Sequence, residues 1–171
     1  MKRFEPLYNG ISAGFVIFIL SILTFDSSVG VWLMFSFGSS ALILFVYHDS
    51  EFAKAKNVFF GHLISIIIGI LFSHYMGISA ISLGLSVALC VTLMIYLKIV
   101  HPPAAANPII ALFADVSFEF ILFPVVSGCI VLIVSSSFIN RTILERKPSN
   151  LKLRSINLRP KRRKTKKNKA R

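Results

Sequence analysis

The amino-acid sequence predicts an all-α membrane protein of six membrane crossings, arranged as two inverted three-helix repeats with a broken second helix in each half. Three observations predict it. Residues are 55% hydrophobic and the mean hydropathy is +0.75, more apolar than one soluble core requires. The apolar residues gather into windows close to the ~20 residues that cross a hydrocarbon core of ~30 Å. The Lys and Arg side chains sort onto one face only if the chain crosses six times.

The first window runs from Gly10 to Phe25 behind Lys2 and Arg3. It resembles a secretory signal, but Leu23-Thr24-Phe25 offers no small-residue cleavage site, so it reads as the first membrane helix. The next windows are Val31 to Tyr47, Val58 to Met76 and Ser79 to Leu97, and the last is Phe118 to Ile139. Connectors are short: Asp26–Gly30, His48–Asn57 and a turn at Gly77. Trp32, Tyr47, Tyr75 and Tyr96 fall at window ends, as an interfacial aromatic belt does.

Five windows would leave the basic termini on opposite sides. The segment from Lys98 to Asp115 is the candidate for a sixth crossing, and including it puts Lys2, Arg3, Lys54, Lys56, Lys98 and the tail on the inner face. It holds three prolines, at 102, 103 and 108, which remove backbone donors and restrict the residue before each. The expectation is therefore an extended inner half through Ala106, then a short helix with Asn107 as N-cap and Pro108 at its first position. Unpaired backbone at that depth must be buried in protein or line a wet cavity, and such discontinuous helices mark transporter sites.

The two halves read as a repeat. Phe37-Gly38-Ser39-Ser40-Ala41 precedes an apolar stretch as Ala105-Ala106-Asn107-Pro108-Ile109 does, with Ser39 opposite Asn107. Two half-helices starting there would aim two N-termini at the midplane, each with unpaired N–H groups and partial positive charge suited to a small anion. The competing reading is that these small residues only let helices pack closely.

Charge bounds the remaining classes. Of 19 Lys and Arg, 14 lie between Arg141 and Arg171, so the basic pI describes a tail and nucleic acid is not an expected partner. The chain divides into a cytoplasmic N-terminus (1–9), a transmembrane bundle (10–139) and a polybasic cytoplasmic tail (140–171) whose composition predicts disorder and contact with anionic headgroups. Acidic residues fall at or near loops, which argues against a cation pathway and against a two-carboxylate hydrolase. Cys90 and Cys129 have no partner spacing and read as reduced packing residues. No metal, cofactor or enzymatic constellation is expected. Intramembrane histidines are functional candidates, and His62 and His101 enter their segments from the same side, whereas His48 and His74 sit at helix ends. The candidate site is Gly38, Ser39, Ser40, His62, His101, Pro102, Pro103, Ala106 and Asn107.

At His101-Pro102-Pro103-Ala104 the sequence resembles the HPP family of integral membrane proteins. Phe37-Gly38-Ser39-Ser40-Ala41 and Asn57-Val58-Phe59-Phe60-Gly61-His62 resemble two further blocks of that family. The resemblance implies a transporter-like protein, usually described with four spanning helices, and nitrite-like solutes from its plant and cyanobacterial members. Ala105 replaces the usual glycine after His-Pro-Pro-Ala, Asn107-Pro108 follows it, and Phe60 replaces the first glycine of the Gly-Gly-His block. The reading is a transporter or permease-like protein of the plasma membrane for a small, anionic solute. A passive channel and a non-transporting assembly or scaffold protein are the alternatives, and homo-oligomerisation stays open.

Overall fold

The computed structural model describes residues 4–26 and 33–145, and the basic tail beyond them lies outside the described residues. Among the described residues six α-helices follow one another: α1 (Glu5–Asp26), α2 (Ser36–Val46), α3 (Ala55–Met76), α4 (Ala80–Tyr96), α5 (Asn107–Ala114) and α6 (Ser127–Phe138). Two 3-10 turns, Glu51–Ala53 and Pro102–Ala106, precede α3 and α5, and wider π-type turns flank α6 at Ile121–Val126 and Ile139–Ile143. There is no strand among the described residues.

Among the described residues, three helical stretches are long and apolar enough to cross a membrane: Glu5–Phe25, Ala55–Met76 and Ile121–Ile143. Ser36–Val46, Ala80–Tyr96 and Pro102–Ala114 are apolar and shorter. Large apolar side chains face outward along α1 (Leu7, Ile11, Phe15, Phe18), α4 (Ile81, Leu85, Ile95) and α6 (Ile130, Val134). Water does not tolerate such contiguous patches, so lipid is their solvent.

Local chemistry sets the boundaries. Gly77 ends α3 at φ +62°, a conformation open to glycine. Ser79 then starts α4 in a reciprocal box: its hydroxyl accepts from the Ser82 N–H at 3.1 Å, and the Ser79 N–H donates to the Ser82 hydroxyl at 2.9 Å. Phe123, held out of helix by Pro124, has φ −128° and ψ 116° and kinks the chain leading into α6.

Packing does not follow chain order. α3 leans chiefly on α4 and α5, and α6 lies against α1 and α2. One apolar cluster joins Val16 and Leu20 of α1, Phe37 and Phe45 of α2, Ile66 of α3 and Leu132 of α6. A smaller one joins Ile68, Cys90, Met94, Ile99 and Ala104. Between lipid-solvated helices, close fit and polar bonds hold such contacts together because burial from water does not.

The segment 98–115 lies along α3 from end to end. The Asn57 amide donates to the Val100 carbonyl at 3.3 Å, and the Ser73 hydroxyl donates to Asp115 Oδ1 at 3.0 Å at the other end. Between them Gly61 and Gly69 let the backbones approach: a Cβ at Gly61 would sit 3.0 Å from His101 Cβ, and one at Gly69 only 2.6 Å from Ala111 Cβ.

Two expectations are corrected. The inner half of this segment is not extended through Ala106: His101 is extended (φ −132°, ψ 101°), but Pro102–Ala106 form a 3-10 turn that runs into α5. A proline φ near −65° suits that turn as well as an extended chain. The second helix of the first half is short but unbroken, since α2 is continuous through Gly38–Ala41 and begins at Ser36.

Candidate functional site

Six polar side chains meet in the interior: Ser36 and Ser40 from α2, His62 and Ser65 from α3, His101 before the proline turn, and Asn107 at the start of α5. Ser40, His62, Ser65, His101 and Asn107 are each 0% exposed. In a low-dielectric interior an unpaired member would be costly, so the bonds should account for every donor and acceptor.

They do. The Ser40 oxygen lies 2.9 Å from His62 Nε2 and 2.9 Å from His101 Nε2. His101 Nδ1 lies 2.8 Å from the Phe52 carbonyl, and His62 Nδ1 lies 2.9 Å from Asn107 Nδ2. Asn107 Nδ2 also donates to Ser65 Oγ at 2.8 Å and approaches the His62 carbonyl at 3.3 Å, while the Ser36 hydroxyl donates to Asn107 Oδ1 at 2.8 Å. The Ser65 hydroxyl donates back to the His62 carbonyl at 2.9 Å.

The partners fix the protons. A carbonyl only accepts, so His101 carries its proton on Nδ1 and presents a lone pair at Nε2. The Ser40 hydroxyl therefore donates to His101, and its oxygen accepts from His62 Nε2–H. His62 Nδ1 is then an acceptor, which suits the Asn107 amide, and the nearby His62 carbonyl fixes that amide's orientation. The bonds run one way: Ser36 to Asn107 to His62 to Ser40 to His101 to Phe52. Phe37 packs edge-on to His62 with ring centroids 5.3 Å apart, and the two imidazoles lie 5.0 Å apart.

The first residues of α2 and α5 are thus bonded to each other through Ser36 and Asn107. From this common point α2 runs towards the loop that carries Phe52, and α5 towards Asp115 beside Ser73. The junction sits at the level of His62 and Ser65, near the middle of α3.

Of the sequence-predicted site residues, the structure joins Ser40, His62, His101 and Asn107. Pro103 is buried beside them. Gly38, Ser39, Pro102 and Ala106 are exposed and lie outside the bonded set. Ser39 and Asn107 are not N-caps: the Ser39 hydroxyl donates to the Ser36 carbonyl within α2 at 2.9 Å, and Asn107 is helical with no capping bond. The start of α5 is also not an open cradle of N–H groups, because the Asn107 N–H bonds the Ala104 carbonyl and Pro108 has none. Sequence reasoning missed Ser36, Ser65, Asn57 and the Phe52 carbonyl. Ser36 stands one turn before Ser40, and Ser65 one turn after Gly61 with Gly69 a turn further, a small-residue spacing that was a usable signal.

Every described Lys, Arg, Asp and Glu whose side-chain surroundings are described is exposed, so the interior cluster carries no formal counter-charge. Among the described residues no group of three His, Cys, Asp or Glu is placed to hold a metal. Both cysteines are free and buried, as expected of packing residues.

Comparison with known proteins gives one family and two relatives. The profile of the HPP transmembrane region matches residues 2–149. A curated transmembrane protein of Dictyostelium discoideum is 24% identical over 151 residues, covering 82% of this chain and 49% of its own length. A second transmembrane protein of that organism is 26% identical over 113 residues, covering 61% of this chain and 40% of its own. This chain therefore spans less than half the length of the curated relatives it matches. No solved structure matches.

Proposed function

The chain belongs to the HPP transmembrane family, and from that premise we propose that it is a permease-like membrane protein for a small anionic solute, nitrite being the first to test. One observation carries the reading: two short helices begin at a shared, buried polar junction halfway along α3. A bundle that only had to pack would fill that place with apolar side chains, because intramembrane polar groups are expensive and accompany function. Absence of a carboxylate at the junction favours an anion over a cation.

Six crossings in two inverted halves are part of the proposal, with both termini on the cytoplasmic face of the plasma membrane and the tail against anionic headgroups. Support comes from the order of the helices, in which each half sets its shortest helix, α2 or α5, between two longer ones. The buried positions of the third helices match too: Gly61, His62, Ser65 and Gly69 in α3 have the spacing of Gly128, Cys129, Leu132 and Ser136 in α6. The same offset places Ser40, not Ser39, opposite Asn107.

A scaffold reading has one observation in its favour, that the junction is closed and every side chain in it is satisfied. Transport then requires the junction to part. Nitrite flux into proteoliposomes decides between the two: the permease reading expects uptake above protein-free vesicles that Ser40→Ala reduces at matched incorporation. Uptake equal to that of empty vesicles would leave the scaffold.

A further inference from the structure

The two buried histidines look equivalent by burial and by their shared contact with Ser40, yet their bonds treat an added proton differently. His101 can take one without losing a partner. Its Nδ1–H keeps the Phe52 carbonyl at 2.8 Å, and a new Nε2–H would point at the Ser40 oxygen 2.9 Å away. That oxygen has a second lone pair, so it can accept from both imidazoles at once. The Ser40 proton also has somewhere to go, because the Ser36 carbonyl lies 3.1 Å from the same hydroxyl. One hydroxyl rotation converts the junction from a neutral to a cationic form with all bonds kept.

His62 has no such second state. A proton on its Nδ1 would meet the N–H of Asn107 at 2.9 Å. Turning the amide over would set Oδ1 at 3.3 Å from the His62 carbonyl oxygen and give up the donor to Ser65.

The cation formed on His101 would lack a counter-charge. Facing it, α2 and α5 bring no titratable group. From α3 come His62 and, at its exposed start, Lys56; His74 and Tyr75 lie at the far end. α4 brings Cys90 in the apolar cluster with Ala104, and exposed Tyr96. Lys98 is exposed, and on the loop that carries Phe52 the Glu51 carboxylate is engaged by Lys54 at 2.7 Å and the exposed Asp49 carboxylate lies 3.3 Å from His48 Nε2. An uncompensated buried charge is strongly unfavourable, and a small anion arriving beside it supplies what the protein does not. Proton and anion then each strengthen the other's binding, by reciprocal linkage.

We infer that His101 is a proton-binding site loaded together with the anion, which makes the permease a proton–anion symporter moving one of each. The inference rests on the permease reading for its transport half, whereas the loading of the site can be measured without transport. In the purified full chain labelled with nitrogen-15 histidine, His101 begins as the Nδ1–H tautomer and His62 as the Nε2–H tautomer. Sodium nitrite at mildly acid pH converts the His101 pattern to imidazolium, sodium chloride at equal strength does so less, and His62 keeps its tautomer. In proteoliposomes, an inside-alkaline gradient accumulates nitrite about ten-fold per pH unit at one proton per anion, and His101→Gln abolishes the accumulation while His62→Gln retains a pH-driven component. Loading of His101 without flux would support the site and sink the permease reading. Nitrite flux indifferent to the pH gradient, with His101 still neutral, would overturn the inference and leave the permease. Charging of His62 in place of His101 would overturn it as well, and the wild-type spectra give that answer even if a histidine variant does not fold.

Discussion

Replacing Gly69 with alanine adds one methyl group where α3 and α5 approach most closely among the glycine contacts described. Its Cβ would stand 2.6 Å from Ala111 Cβ and 2.8 Å from Pro108 Cα, where ordinary contact begins at 3.4 Å, so α5 must retreat from α3 by about 0.8 Å. Asn107 sits at the near end of α5, and its bonds to His62 Nδ1 at 2.9 Å and to Ser65 at 2.8 Å stretch towards the 3.5 Å limit of a useful hydrogen bond. Overpacking costs about 1–3 kcal/mol, and two weakened buried bonds add about 0.5–1.5 kcal/mol each. Alanine returns up to ~1 kcal/mol through helix propensity. At mid-range these contributions leave a net loss of about 3.5 kcal/mol. That corresponds to a fall of about 7–14 °C in thermal midpoint for a chain of this size. Heating the detergent-solubilised protein with a thiol-reactive dye reads the transition, because both cysteines are free and buried until the bundle opens. Gly84→Ala is the control: a Cβ there meets nothing within 4 Å, and the midpoint should hold or rise. Equal midpoints for Gly69→Ala and Gly84→Ala would refute the close-approach argument.

Ser40→Ala leaves a buried His62 N–H and a buried His101 lone pair unmatched and should lower stability by about 2–4 kcal/mol, whereas exposed Ser39→Ala should stay within ~0.5 kcal/mol; thermal midpoints compare them. Asn57→Ala releases the Glu51 and Val100 carbonyls together, so amide exchange should quicken at Phe52–Lys54 before it changes in α4. If the six-crossing topology holds, reporters placed before Lys2 and after Arg171 should both be reached from the cytoplasmic side; a tail reachable only from outside would end that topology.

Much of the helical frame could be read before the structure, because length and hydropathy decide it: α1, α3, α4 and the α6 stretch each cover most of one apolar window, although α1 begins earlier at Glu5 and the α6 stretch runs on to Ile143. His62 and His101 were legible for a related reason, since a polar ring inside an apolar run needs a purpose. Less visible was the conformation around the prolines. His101 obeys the restriction before Pro102, but Asn107 is helical (φ −63°, ψ −38°) in front of Pro108, because the turn before it and the contacts to His62 and Ser65 outweigh the local preference. The start of α2 was misplaced for want of a distinguishing signal: Ser36, Ser39 and Ser40 are equally good caps by type, and only the tertiary bonds to Asn107 and the histidines tell them apart.

The exchange of third helices bears on how the chain is made. Helices leave the ribosome in order, yet α1 and α2 find their long neighbour in α6, the last of the described helices, while α3 is taken up by α4 and α5. During synthesis, then, Ser36 and Ser40 enter the bilayer before Asn107 and His101 exist to receive them. Neither half can complete its own interior, and a chain cut at Gly77 should yield two fragments that are each degraded when made alone and rescued when made together.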